Sequence, residues 1–271
     1  MTSETLPIRF LGQAVVRGAI RIETGLHIGA GKDAVEIGGI DSPVVKTPAG
    51  DPYIPGSSLK GKLRALMEWG LRRVEASGKP WSGGGTPEES DPILRIFGAS
   101  ADARDWKAGP TRLMMRDAPL DANWRNETLE AGRELTEDKT EVTIDRIAGK
   151  ALHGVGARHM ERVPPGARFD FRLSFRLFDA GDGGSRDREC LAWLIQAFDL
   201  LEQDALGGSG SRGYGQVRFE NLVLRGPEGR EVRLDGNEHG FRGHSFSEKA
   251  PAEAIMRAVE EALAGPAGDG A

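Results

Sequence analysis

The sequence predicts an α+β fold of ferredoxin-like order: strand, helix, strand, strand, helix, strand. Two segments alternate apolar and polar residues with period two, two longer ones repeat with helical period, and glycine- or proline-rich connections separate them. The 271 residues are enough to bury a substantial core, and no long linker divides them. A composition of 38% hydrophobic and 28% charged residues argues against wholesale disorder.

The first strand is read over 16–28, where Ile20, Ile22, Leu26 and Ile28 share one parity while Arg21, Glu23 and His27 take the other. That alternation leaves His27 on the exposed face. A connection over 29–56 follows, too dense in glycine (Gly29, Gly31, Gly38, Gly39) for one regular element. Pro55 and the serines after it open the first helix, with Ser58 as N-cap and Leu59, Leu63, Leu66, Met67, Leu71 and Val74 as its apolar stripe. Lys60, Arg64 and Arg72 fall on another face. Residues 77–92 read as a surface loop, and Leu113 and Met115 mark a strand. Over 140–165 apolar pairs mix with basic residues and histidines without a clean period, the pattern of a projecting, partly irregular hairpin.

Phe169, Phe171, Leu173, Phe175 and Leu177 then alternate with Asp170, Arg172, Ser174 and Arg176 in the clearest strand of the chain. Ser185 can cap a second helix with the stripe Leu191, Leu194, Ile195, Phe198, Leu201 and Ala205, stopped by Gly207 and Gly208. A last strand spans 216–224. The whole is an RRM-like (ferredoxin-like) α+β domain over 1–249 with insertions at about 77–110 and 133–166, followed by a peripheral tail over 250–271 with a short helix.

Net charge is −5, which argues against indiscriminate nucleic-acid binding, but charge acts where it is placed. Over 57–73 the basic residues Lys60, Lys62, Arg64, Arg72 and Arg73 meet one acid, Glu68, whereas from Gly226 onward nine acids outnumber five basic residues. The body is therefore near neutral with local basic patches. Cys190, the single cysteine, can form no internal disulfide and reads as a packing residue. No basic start precedes an apolar run at the N-terminus, and no eighteen apolar residues occur in succession. A cytoplasmic protein without membrane contact is expected.

Two glycine patterns invite a nucleotide-enzyme reading. The run from Gly56 to Lys62 has the spacing of a phosphate loop, but Leu63 stands where a Ser or Thr must bind magnesium. The predicted helix also begins before Gly61 and consumes the amides that would cradle a phosphate. The run from Gly208 to Gly213 fits G-x-G-x-x-G, yet it follows a helix and opens a strand, the reverse of a dinucleotide site. Two readings of that turn stand level: a close approach to an anion helped by Arg212, or a helix C-cap with no ligand. His153, His159, His239 and His244 lack the further ligands of a structural zinc site and read as surface residues.

The runs LHIG at 26–29, EIGGIDSPVVK at 36–46, YIPGSSLKGKLR at 53–64 and GGSGSRGYG at 207–215 together resemble the RAMP superfamily. More narrowly, they resemble the repeated backbone subunit of type III-A CRISPR effector complexes. TEVTIDRIAGK at 140–150 and ERVPPG at 161–166 are similar to that family's projecting segment, whereas the loop at 77–91 and the acidic tail have no counterpart. The resemblance implies an RRM-like core with an inserted lid and a projecting thumb hairpin. It also implies stacking with neighbouring copies along a CRISPR guide RNA, beside other type III effector subunits. Complementary target RNA would be captured and cut at regular intervals, with a divalent metal ion, magnesium, as cofactor.

The family's catalytic and metal-holding aspartate falls on Asp41, which by residue type alone would read as a turn before Ser42 and Pro43. One carboxylate can suffice, because RNA carries its own nucleophile, the 2′-OH. His27 is an auxiliary candidate, as proton carrier or RNA contact, against the plainer reading of an exposed strand residue. Lys60, Lys62, Arg64, Gly208, Ser209, Gly210, Ser211 and Arg212 are guide-RNA candidates through phosphate contacts, and Arg146, Arg158 and Arg162 are their counterparts on the thumb. Three other functions compete: a guide-binding subunit without catalysis, a guide-processing endoribonuclease of the same superfamily, and an NTPase. Asp41 argues against the first, the extended match against the second and Leu63 against the third.

Overall fold

The computed structural model describes residues 7–31, 42–84, 88–99, 106–154, 156–235 and 240–264. In chain order the elements are β1 (Arg9–Ile22), β2 (Tyr53–Ile54), α1 (Gly56–Gly70), α2 (Pro92–Phe97), β3 (Leu113–Met115), β4 (Ala118–Pro119) and α3 (Ala122–Glu130). They continue with β5 (Glu137–Glu141), β6 (Arg158–Arg162), β7 (Arg168–Asp179), α4 (Ser185–Gln203), β8 (Val217–Arg225), β9 (Glu231–Arg233) and α5 (Glu253–Leu263). Five strands form one antiparallel sheet in the order β3-β7-β1-β8-β9. The chain passes through α1 on its way from β1 to β3 and leaves room for β7 between them; α4 carries it from β7 to β8 around β1.

Alternation does the sorting. On β1 the side chains of Ala14, Val16, Ile20 and Ile22 are buried, as are Phe169, Phe171, Leu173, Phe175 and Leu177 on β7, while Arg17, Arg168 and Arg172 are exposed. Ile20 lies in register with Phe169 on one side and Phe219 on the other. The β1–β8 register shifts between Arg17 and Ala19, where a Cβ on Gly18 would come 2.7 Å from Glu220 O; glycine lets the bulged strand approach. Phe198 of α4 closes the apolar face, its ring 5.6 Å from Phe171 and 4.7 Å from Phe219. Burying such a side chain contributes roughly 1.5–3 kcal/mol.

The helices differ from expectation at their ends. Neither Ser58 nor Ser185 caps: Asp117 Oδ1 accepts from Gly56 N at 2.7 Å, and Asp182 accepts from Gly184 N and Arg186 N at 2.9 and 3.2 Å. A more distant carboxylate replaces the local hydroxyl. In the stripe of α1, Leu59, Leu63, Met67 and Leu71 are buried, but Val74 lies beyond the helix and is exposed. Residues 77–92 are not wholly a surface loop, because Asp91 is buried and caps α2, which packs against α1 and α4. The helix past Lys249 is not peripheral either. Ile255, Ala258, Val259 and Ala262 of α5 join the main core, and α5 packs on α4, β8 and β9.

β1 ends at Ile22, six residues before the predicted boundary at Ile28. Ile22 N and Gly166 N exchange backbone bonds across to Ala167 O and Ile22 O, and the chain then turns away, so the parity rule fails beyond that point. Between 137 and 162, β5 and β6 pair as an antiparallel hairpin apart from the main sheet, with an irregular tip between them. Cys190 is fully buried, and burial pushes its thiol up to about 12. Among the described residues no helix is long and apolar enough to cross a membrane.

Candidate functional site

The loop after α4 is built on glycine of necessity. Gly207 has φ +77°, and a Cβ there would collide with His27 O; Gly215 has φ +73°, and a Cβ there would collide with Leu206 O. The close approach is used: Gly208 N donates to His27 O at 2.8 Å and Gly215 N donates to Gly25 O at 3.0 Å. The loop is thus zipped onto the segment that follows β1, and a short 3-10 turn over Gly210–Arg212 faces outward. Gly208, Ser211 and Arg212 are exposed, Ser209 and Gly210 half-buried. Arg212 donates to Ser209 Oγ at 2.6 Å and lies 3.6 Å from Glu141.

Gly207→Ala should therefore destabilise the protein by about 1–3 kcal/mol through strain and collision. Gly213 also has a left-handed φ, +83°, but an added Cβ there meets open space. Gly213→Ala should incur the backbone penalty alone, about 1 kcal/mol. Thermal melts of the two variants test this, and equal losses would contradict it.

The foot of the β5–β6 hairpin rests on this loop. Tyr214 is buried, its hydroxyl donates to Glu141 at 2.8 Å, and Lys139 and Arg162 lie 4.4 and 5.2 Å from its ring. Arg162 donates to Glu137 at 2.6 Å, and a Cβ on Gly25 would collide with its side chain. Arg162 is therefore a packed element of the hairpin's base. Arg158 stands exposed at the start of β6, and Arg146 is exposed at the tip, donating only to Ile144 O at 3.1 Å.

Asp41 lies outside the described residues. The chain leading to and from it is closely held: Ala30 N donates to Pro43 O at 3.1 Å, Val45 N to Ile28 O at 2.9 Å and Glu161 N to Ser42 O at 3.1 Å. The carboxylate of Glu161 is the hub below. It accepts from Lys46 at 2.5 Å, Thr136 at 2.7 Å and Val44 N at 2.8 Å. His27, read from parity as exposed, is buried, and its Nδ1 donates to Glu161 O at 2.7 Å. The correction follows from the end of β1 at Ile22, after which strand parity no longer applies.

Burial pushes the Glu161 carboxyl up, but the Lys46, Thr136 and Val44 donors outweigh it and hold the group below its ordinary value. The unfolded chain then takes up this proton at a higher pH than the folded one. The stabilisation is present above the unfolded pKa and lost as pH falls through the lowered folded value. Glu161→Gln should flatten the acid limb of a stability curve measured from about pH 7 to pH 3. An unchanged acid limb would show that the hub contributes nothing to it.

The basic residues of α1 divide. Lys62 pairs with Asp204 at 2.8 Å, beside the glycine loop. Arg64 is held by Glu68 and Trp81 O, both at 2.7 Å, toward the 77–91 loop. Lys60 shares that side: burial, then Arg64 and Arg176, lower its pKa. The structure thus brings together Lys62, His27, residues 208–212 and Arg162, and leaves Lys60, Arg64 and Arg146 apart from them. Sequence reasoning missed Glu161 and Glu141 as organising groups. A lone glutamate in the otherwise basic β6 run RHMER was the available signal. Among the described residues no group of three or more His, Cys, Asp or Glu could hold a metal ion, and Glu161, Glu141 and Glu137 are each occupied by cations or donors.

The chain belongs to the RAMP superfamily, whose family model matches residues 19–218. It is similar to the proteins named CRISPR system Cms endoribonuclease Csm3 of several organisms. Identity is 39% with that of Methanocaldococcus jannaschii (79% of this chain, 81% of the relative) and 43% with that of Streptococcus thermophilus (75% and 85%). With that of Mycobacterium tuberculosis it is 38% (82% and 91%). Among solved structures it is similar to a chain of the Csm3-Csm4 subcomplex of the type III-A CRISPR-Cas interference complex, at 29% identity and a TM-score of 0.47 over 79% of this chain and 78% of that one.

Proposed function

We propose that this chain is a repeated, guide-RNA-binding backbone subunit of a type III-A CRISPR effector complex that captures complementary target RNA and cuts it at regular intervals. The relatives named as endoribonucleases support the reaction class. One structural observation carries the reading: the glycine loop, the hairpin foot and the segment that begins at Ser42, next to Asp41 in the chain, all meet around the stretch from Gly25 to Ile28. In this reading the sheet and its two crossovers are an RRM-like core, the 77–110 segment is a lid and the hairpin a thumb. Copies of the chain would stack beside other effector subunits in the cytoplasm.

Cleavage needs the RNA 2′-oxygen to attack the adjacent phosphorus, displacing the 5′-oxygen of the next nucleotide. Amides and Arg212 of the glycine loop hold guide phosphates without reading sequence, and base pairing supplies specificity. The thumb splays the strand so that the 2′-OH comes in line, and the Asp41 carboxylate takes part in removing its proton. Glu161 and His27 fix the loop's stem. A divalent ion, magnesium, would supply positive charge at the phosphate; the described residues form no cage for it, and chelation with add-back tests that part separately.

The test of RNA binding is affinity for long single-stranded RNA across a salt series. Each phosphate neutralised should contribute about 0.7 to the slope of log affinity against log salt. The number of bound copies should rise with RNA length. A flat salt response, or one copy whatever the length, would sink the backbone reading.

A further inference from the structure

At the ends of α1 and α4 remote from the glycine loop, a cavity of about 320 Å³ opens between Arg72, Arg73, Arg186 and Lys249, with Glu248 its one acidic wall residue. Asp204, at the far end of α4, pairs with Lys62 in the middle of α1. α4 runs nineteen residues from Ser185 to Gln203, so the cavity lies roughly 25–30 Å from the glycine loop. Arg186 is paired with Glu189 at 2.6 Å and donates to Ser90 O at 2.8 Å, but Arg72 and Arg73 are only loosely neutralised. Arg72 approaches Glu248 only to 3.7 Å and Arg73 approaches Asp91 only to 3.8 Å, both beyond hydrogen-bond reach. Two are also braced: Arg73 lies 5.6 Å from the Trp81 ring and Arg186, paired with Glu189, lies 5.1 Å from the Trp193 ring. One helical turn before Arg72, Trp69 presents its ring to solvent at 73% exposure.

We propose that this cavity is a second phosphate-binding site of the chain, taking the backbone of a single-stranded RNA with a base stacked on Trp69. Arg72 and Arg73, whose nearest carboxylates stand at 3.7 and 3.8 Å, and the exposed Lys249 beside them suit a phosphodiester. Trp69, exposed three residues before Arg72, offers a face on which a base can stack. The proposal takes RNA as the ligand from the function proposed above and goes beyond it in place. Here the strand bound is unpaired and lies away from the guide loop.

The experiment uses complexes assembled with wild-type chain or with the double variant Arg72→Ala and Lys249→Ala, both exposed positions whose loss opens no core. The probe is a labelled, unstructured RNA not complementary to the guide. The double variant should bind it about tenfold more weakly, with a salt slope smaller by about 1.4 for two lost phosphate contacts. Guide content and capture of complementary RNA should be unchanged, and Trp69→Ala should weaken the probe at unaltered salt slope. Equal probe affinity in wild type and double variant overturns the site. Competition by AMP or inorganic phosphate as strong as by RNA makes it a small-anion pocket and overturns the RNA assignment. Loss of another subunit at unchanged probe affinity makes it a protein contact, with the same result. Absence of guide RNA from the wild-type complex would instead count against the backbone reading itself, so the two failures are distinguishable.

Discussion

Asp41→Ala is expected to lower target-RNA cleavage by about a hundredfold to ten-thousandfold, the range for loss of a general acid or base, while guide binding and target capture stay within about twofold. The described segments on either side of it are the reason binding should survive. The bonds from Ala30 to Pro43, Val45 to Ile28 and Glu161 to Ser42 are all between backbone groups, and the Glu161 hub beneath them makes its contacts with Lys46, Thr136 and Val44. None involves the Asp41 side chain. A carboxylate acting on the 2′-OH works in the transition state, so its loss should appear in rate rather than affinity. Single-turnover cleavage of a labelled complementary RNA, with a binding assay on the same samples, measures both. Cutting at the normal rate would make Asp41 a turn residue, and joint loss of binding would make its loop structural.

Asp187→Ala should be the most destabilising change in the core outside the RNA site. Asp187 is fully buried in the first turn of α4 and accepts from Arg95, Arg112 and Phe178 N, at 2.9, 2.9 and 2.8 Å. Both arginine side chains are nearly or wholly buried, and Arg112 Nη2 already lacks a partner. Removing the one carboxylate leaves two guanidinium charges facing each other in a dry interior, a loss of about 3–5 kcal/mol. At this size that is a fall in melting temperature of roughly 6–20 °C. Asp187→Asn keeps the hydrogen bond to Phe178 N and should lose less. A shift under about 1 kcal/mol for the alanine variant would mean that water or a rearranged arginine compensates.

The long elements were legible because their periodicity reports burial directly. The apolar positions from Phe169 to Leu177, and Leu59, Leu63, Met67 and Leu71, are buried as the sequence pattern requires, although Ser174 on the other parity of β7 is buried too. What escaped was set by tertiary partners. α2 and α3 are short, six and nine residues, and each is capped by an aspartate, Asp91 and Asp121, with too few turns to show a helical period. α5 looked peripheral because its apolar stripe gives no sign of which neighbour covers it. His27 was misplaced for a related reason: parity carries no information past the point where β1 releases its partner. Among the site residues the glycine loop was visible as a motif, but the packing of Gly207 and Gly208 against His27 was not. The division of Lys62 from Lys60 and Arg64 depends on Asp204 and Trp81, which no spacing along α1 encodes.

The most direct measurement is to purify the chain with its native partners, sequence the RNA that comes with it, and map the cuts that this complex makes in a complementary RNA. The account predicts short, uniform guide RNAs and several cuts at one constant spacing, all lost together with Asp41→Ala. A complex without guide RNA, or one whose cuts fall at a single site or at irregular intervals, would contradict it.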